Sequence, residues 1–504
     1  MTIASSKKNI SFQYIALFFL FFGGILRLIQ YLNNRSLWYD EASLALNLLN
    51  RSYSELLAPL DYNQAAPPGF LWLEKLSLEI FGNSEFVLRL FPFAASVVSL
   101  AVFYKLAQRY TSPIAAPIAM ALFACLPYTL YYATEVKQYS SDMMVALLLC
   151  LWLIPLRQQI LERKKILFLS LVGAIAIWLS HPAVFILSGI ELGYLFTSQF
   201  KTIPRLLRNR LPIYITWLLS FGLMYWLSLS NTMGDDTLKA AWRDRFPSSV
   251  VDFVWLLDSF GRFFYRPLGF SGVADAFAIV AFIIGCVAFY RTHRAIFVAL
   301  LAPFIMTFIA SYLKQYPFRE RLVIFLAPLA ILIIAQGIAF LLNSWPHKRR
   351  YTTILGLIVL GAILFPPLTH ATQLAIKPEL KHEIRPVIAY VKSQQQPGDF
   401  LYIYHDGKNQ FLYYAPQYGY SPEQYQLGDS KLPRKGKADL EKWQRYQQEI
   451  EQLRNYSRVW LLYRADNENR EQFSEYLNQL GQQLDFFEQP GAFVYLYNFA
   501  QESD

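Results

Sequence analysis

The sequence predicts an all-α polytopic membrane protein of about eleven transmembrane helices with a small C-terminal extracytoplasmic α/β domain. Three observations predict it. Of 504 residues, 55% are hydrophobic and 16% charged, and the mean hydropathy is +0.26; a soluble protein carries about a quarter charged residues, and a disordered one has the opposite balance. Several stretches run about 18–23 residues with almost no charge, long enough to cross a hydrocarbon core of about 30 Å as helices. From about Lys377 the composition turns to that of a soluble module.

Spans are expected at 11–32, 84–106, 113–131, 140–156, 165–180, 183–199, 211–229, 271–290, 295–313, 321–343 and 351–371. Lys7 and Lys8 precede the first, which puts the N-terminus in the cytoplasm. The loops that then face inward carry Lys105 and Arg109; Arg157, Arg163, Lys164 and Lys165; Lys201, Arg205, Arg208 and Arg210; Arg291 and Arg294; Lys348, Arg349 and Arg350. Their single acid is Glu162. Basic inner loops are what the positive-inside rule demands, so the net charge of +10 reflects topology and no nucleic-acid partner is expected. The run from Ile10 is too long for a cleavable signal and lacks a small-residue cleavage site. Cys125, Cys150 and Cys286 all lie in apolar stretches and form no metal or disulfide pattern.

The opposite face holds a long first loop (33–83), a turn at 131–139, a third loop at 230–270, a turn at 314–320 and the C-terminal tail. It carries Asp40, Glu41, Asp61, Glu135, Asp235, Asp236, Asp244, Asp252, Asp258 and Glu320. The expected domains are a membrane domain over 1–376, with the first loop as its catalytic part, and a soluble domain over 377–504. In the latter, Asp399–His405, Arg458–Tyr463 and Ala492–Phe499 read as strands, and Arg434–Tyr456 and Asn467–Leu480 as helices. That alternation suggests a small α/β sheet. It contains no phosphate loop, metal spacing or nucleophile motif; a lid, a substrate-docking or a stabilising domain fits it.

Chemistry is therefore sought on the outer face. Trp38-Tyr39-Asp40-Glu41-Ala42 follows the first span. Adjacent carboxylates at a membrane surface repel each other and are costly to desolvate, which suits one of them to general-base work; the plainer reading is an acidic helix start. Asp61–Phe70 turns at Pro67-Pro68 into an apolar stretch too short to span, the pattern of an interfacial or re-entrant element. Glu135, Lys137 and Tyr139 alternate and share a face if the turn is extended; the plainer reading is a set of interfacial anchors. His181 closes the fifth span and, with Glu135, is the candidate oxygen/nitrogen pair for a divalent ion, Mg²⁺ or Mn²⁺; a packed histidine is the commoner case. Arg319 and Arg321 flank Glu320 before span ten, and arginine meets phosphate through a planar fork of donors.

As a set these motifs resemble GT-C fold glycosyltransferases that use polyprenyl-phosphate sugars, the superfamily of protein O-mannosyltransferases, aminoarabinose transferases and Rgt-like sugar transferases. The resemblance rests on Trp-Tyr-Asp-Glu-Ala after span one, the Pro-Pro element and Glu135-x-Lys137-x-Tyr139. It extends to Ala241-Trp242 with Phe246-Pro247, Pro267-Leu268-Gly269-Phe270, Tyr316-Pro317-Phe318 with Arg321, and Ile384-Arg385-Pro386-Val387, roughly residues 11–420. It implies inverting transfer of one sugar, mannose or a similar hexose, from a polyprenyl-phosphate donor to a lipid, glycan or protein hydroxyl at the extracytoplasmic face, which in a bacterium is that of the plasma membrane. Asp40 is then the expected base with Glu41 beside it, Glu135 and Tyr139 line the site, and Lys137, Arg319 or Arg321 meets the donor phosphate. Two positions depart from the pattern: Ala66 stands where many relatives have histidine, and Lys137 where arginine is usual. The rival readings are a flippase or transporter of lipid-linked sugars, for which Arg27 and Glu191 are the mid-span charges, and a non-catalytic membrane scaffold.

Overall fold

A computed structural model describes residues 2–156, 159–230, 242–343, 350–431, 440–464 and 470–499. Asp235, Asp236, Arg157, Lys348 and Arg349 lie outside the described residues. The main helices are, in chain order, α1 (Thr2–Leu32), α2 (Tyr39–Asn50), α3 (Pro68–Phe81), α4 (Leu90–Tyr110), α5 (Ala115–Cys125), α6 (Pro127–Tyr131), α7 (Tyr139–Leu153), α8 (Arg163–Leu179), α9 (Ala183–Thr197) and α10 (Ile203–Met224). They continue with α11 (Phe253–Phe263), α12 (Val273–Thr292), α13 (Arg294–Tyr312), α14 (Ala327–Leu342) and α15 (Arg350–Ile376). Then come α16 (Ile384–Gln394), α17 (Lys408–Tyr414), α18 (Leu440–Glu451) and α19 (Arg470–Leu480).

The chain divides into two compact units, one of Met1–Asn33 with Ser52–Pro378 and one of Asn34–Arg51 with Glu379–Asp504. Residues 34–51, read from the sequence as part of the membrane domain's first loop, thus belong to the second unit.

The first unit is an integral membrane bundle. Among the described residues eight helical segments are long and apolar enough to cross a bilayer, and nine if the bent pair Ala115–Cys125 and Pro127–Thr134 is one span. Eleven were expected from hydropathy. The difference lies in α8 and α9, whose 17 and 15 residues reach about 22–26 Å at 1.5 Å per residue, short of a ~30 Å core. The segment Glu320–Leu342 is almost entirely enclosed by its neighbours. It meets α12 at glycines: a Cβ at Gly285 would stand 1.9 Å from the Ile333 carbonyl oxygen, and one at Gly337 2.0 Å from that of Ala281. With no hydrophobic drive between helices in lipid, such backbone approach supplies the packing.

The second unit has a five-stranded sheet of β1 (Phe400–Ile403), β2 (Tyr425–Leu427), β3 (Arg458–Tyr463), β4 (Gln482–Gln489) and β5 (Ala492–Asn498), in the order β2-β1-β3-β5-β4. β1 runs parallel to β2 and β3, with Leu401 opposite Trp460; β5 is antiparallel to β3 and β4, with a register shift between Gln483 and Asp485. The predicted strands become β1, β3 and β5. Of the predicted helix at 434–456, residues 440–451 form α18 and 432–439 lie outside the described residues; α19 starts at Arg470. Aromatic side chains fill one face of the sheet, among them Tyr402, Tyr446, Tyr463, Phe473 and Tyr497.

Candidate functional site

Asp40 and Glu41 sit at the second and third positions of α2, with Trp38 as the cap. Glu41 is buried, and its Oε2 accepts the Trp38 backbone N–H at 3.1 Å. That is the helix-start reading of the acidic pair realised: a carboxylate closing the first turn where backbone N–H groups lack partners. Asp40 is partly exposed. Beside it, burial together with the carboxylates of Asp40 and Asp406 pushes the Tyr39 phenol above its usual range, and Arg464 stacks over the Tyr39 ring at 5.8 Å.

Within the membrane unit, the turn before α7 is not extended. Tyr132–Thr134 is a 3₁₀ turn, and the Lys137 N–H folds back onto the Glu135 carbonyl at 2.7 Å. Glu135 and Lys137 are therefore gathered by a tight turn instead of by strand alternation. Both are buried. The Lys137 ammonium donates to the Gln64 side chain, and Gln138 Nε2 donates to the Ala65 carbonyl at 3.4 Å. The Asp61–Pro68 segment, with Tyr62 and Asn63 at positive φ, is so fastened to this turn. Pro67 ends it in extended conformation, Pro68 opens α3, and Gly82, at φ 85°, closes that helix.

Tyr139 starts α7, packs edge-on against Tyr132 at 4.8 Å and carries the Arg321 guanidinium over its ring at 5.8 Å. Tyr128 stacks on Tyr132 and receives Arg266 at 5.6 Å. Arg319 points elsewhere. Its Nη2 pairs with Asp258 on α11 at 2.9 Å, an acid that Arg262 also grips at 2.7 and 2.8 Å.

His181 lies in the turn between α8 and α9, with Nε2 enclosed and making no hydrogen bond. Among the described residues no three His, Cys, Asp or Glu side chains gather to hold a metal ion. No step is assigned to the divalent ion expected at His181 and Glu135.

Sequence reasoning passed over several groups here. Asp142, inside the span predicted over 140–156, is buried beside Ser180 and has an unbonded Oδ1. A carboxylate inside an apolar run was the available signal. Arg266 and Tyr128 carried none, because only the fold brings them together. Glu74 on α3 is fully buried with both carboxylate oxygens unbonded, and nothing in the structure explains it. Enclosed polar atoms with unused capacity cluster on two segments: Thr134 Oγ1, Gln138 Oε1, Ser140 Oγ and Asp142 Oδ1, then Ser180 Oγ and His181 Nε2.

The architecture matches solved structures along nearly its whole length. ArnT from Cupriavidus metallidurans in the apo state aligns with a TM-score of 0.51 at 13% identity, over 98% of this chain and 98% of that one. The chain has a GT-C fold. The same ArnT bound to undecaprenyl phosphate aligns at 0.50 and 12%, over 97% of each chain. Another GT-C structure, the archaeal oligosaccharyltransferase AglB from Archaeoglobus fulgidus in complex with an inhibitory peptide and a dolichol-phosphate, aligns at 0.52 and 13%, over 100% of this chain and 75% of that one. The family model described as dolichyl-phosphate-mannose-protein mannosyltransferase matches residues 65–227. That segment holds the Pro-Pro element, the Glu135–Tyr139 turn and His181, and leaves out α2 with Asp40. No curated protein sequence matches the chain.

Proposed function

We propose that this chain is an integral membrane glycosyltransferase of the GT-C type. It moves one sugar, mannose or a similar hexose, from a polyprenyl-phosphate donor to an acceptor hydroxyl on the extracytoplasmic face. The observation that carries the reading is the GT-C fold shared with ArnT over 97% of both chains in a structure holding undecaprenyl phosphate. The mannosyltransferase family match over 65–227 points to the same chemistry.

The reaction is a single inverting displacement. Asp40 takes the acceptor proton as the hydroxyl oxygen attacks the anomeric carbon, and the bond from that carbon to the lipid phosphate breaks. A phosphate already leaves readily, so no protonating acid is needed; cations that meet its growing charge are. Lys137 and Arg321 have that role, and Glu135 and Tyr139 line the site. Arg319 is a weaker candidate because Asp258 already engages it.

The transporter reading loses its footing because both mid-span charges have structural partners. Arg27 donates to the carbonyls of Phe123 and Ala124, and Glu191 is held by Arg210 at 2.6 Å and Tyr214 at 2.7 Å.

The test is sugar transfer in nanodiscs from radiolabelled polyprenyl-phosphate mannose and glucose into a total membrane extract, by wild type and Asp40→Asn. The expected outcome is label transfer by wild type and a loss of about 10²–10⁴-fold in Asp40→Asn with donor binding kept. Equal transfer by both proteins removes Asp40 from the mechanism. Donor binding without transfer by wild type, in vesicles that move the labelled lipid between leaflets, returns the transporter reading.

A further inference from the structure

We infer that the C-terminal α/β domain is a positioning element of the transferase: it holds the backbone that presents Asp40. The inference rests on the reading of Asp40 as the base. The sequence of this domain shows no phosphate-loop or nucleophile motif. Yet 34–51 packs with it as one compact unit, and the contacts are polar and directional.

The segment leading into α2 is gripped one residue at a time. The Arg385 guanidinium donates to the Asn34 carbonyl at 2.7 Å. Ser36 donates through both its N–H (3.2 Å) and its hydroxyl (2.9 Å) to the Glu383 carboxylate, and its Oγ accepts the Arg385 N–H at 3.2 Å. Leu37 is held on both sides by α17: its N–H donates to the Tyr414 phenol oxygen at 2.8 Å, and its carbonyl accepts from Gln410 Nε2 at 2.6 Å. Asn409 Nδ2 donates to Ser43 Oγ at 2.8 Å, and Ser43 in turn donates to the Tyr39 carbonyl at 2.6 Å. That relay ends on the residue before Asp40.

Gln410 and Tyr414 are fully buried and Asn409 nearly so. Buried side chains spent on the backbone of a distant segment fix where that segment stands, because leaving any of these groups unbonded is costly. Two consecutive residues of α17 and a third one turn later meet 37, 39 and 43, so the first turn of α2 has little freedom to tilt. Catalysis by a general base depends on such placement, since a misplacement of about 1 Å costs up to about a hundredfold in rate.

The experiment uses the full-length protein in nanodiscs, with Tyr414→Phe and Gln410→Leu as separate variants and Asp40→Asn alongside. Transfer kinetics use the labelled donor that wild type accepts. Donor bound per protein at saturation, thermal midpoint and amide hydrogen exchange over 34–51 are measured on the same samples. The expected result is a fall in kcat of about tenfold in each variant, with donor KM and donor stoichiometry unchanged. Faster exchange is expected at 36–43, with the sheet's exchange as in wild type. A domain that merely stabilises the protein predicts lost stoichiometry and faster exchange throughout the unit, and that pattern overturns the inference. Wild-type kcat in both variants beside an inactive Asp40→Asn overturns the positioning role and leaves the base. Wild-type kcat in Asp40→Asn overturns the base assignment, and the positioning role with it. Asn409→Ala, which breaks the relay at its first donor, serves if the other two variants fail to fold.

Discussion

Asp40 and Glu41 are neighbours in the chain with different surroundings: one partly exposed, the other buried and closing the first turn of its own helix. The Lys137 ammonium, proposed to meet the donor phosphate, donates to the Gln64 side chain, and Arg319 pairs with Asp258. Lys137→Ala is accordingly expected to weaken donor binding about tenfold to a hundredfold, the ~1.5–3 kcal/mol of a charged hydrogen bond, measured by titration of the polyprenyl-phosphate sugar. In the second unit Asp399 accepts from Arg458 Nε (2.7 Å), Trp460 Nε1 (2.9 Å) and the Gln396 N–H (3.0 Å). Burial by itself raises the Asp399 carboxyl; these donors outweigh it and hold the carboxyl below the usual range. A carboxyl depressed in the folded state contributes stability above its unfolded pKa of about 4 and loses it as pH falls through the folded value. Asp399→Asn is expected to cost about 2–3 kcal/mol at pH 7. The gap to wild type should close as pH drops below about 4, read by urea melts across pH.

At the scale of an element, the break between α5 and α6 explains a charge inside a span. An unbroken helix would offer the residue 127 N–H to the Phe123 carbonyl, but Pro127 has none. Thr129 Oγ1 reaches that carbonyl at 3.1 Å, Arg27 Nη2 at 3.2 Å, and Arg27 Nη1 covers the Ala124 carbonyl at 3.4 Å. Arg27 also lies over the Phe123 ring at 5.6 Å. In lipid each freed carbonyl must find a protein donor. Arg27→Leu is therefore expected to lower stability by about 2–3 kcal/mol, the cost of leaving one or two such groups unpaired, seen as a fall in thermal midpoint in detergent. The hydropathy of α1 alone made Arg27 a transporter candidate; the bend 97 residues away gives it another purpose.

At the scale of the molecule, the basic residues at alternate loops of the sequence set the expected orientation, with an outward Asp40 and C-terminal domain. Single cysteines at Gln417 and His293, both exposed, test it in a background without the three native cysteines. In intact cells a membrane-impermeant maleimide is expected to label Gln417→Cys and to spare His293→Cys until the membrane is opened. The reverse pattern turns the protein over and moves Asp40 to the cytoplasm.

The membrane bundle and the alternating C-terminal domain were legible in the sequence because hydropathy and period are local: they need only neighbours along the chain. The acidic pair at 40–41, the turn at 135–139 and Arg321 were legible as residue types at a membrane surface. Edge strand β4 was not, since its largely exposed, polar residues give no apolar pattern. Nor was the division of labour between Glu41 and Asp40, the diversion of Arg319 to Asp258, or the tyrosines grouped with Arg266 and Arg321, because each depends on a partner tens of residues away. The assignment of 34–51 to the C-terminal unit was equally hidden: its hydrogen bonds join residues about 350 apart, and a hydrogen bond is decided by distance in space.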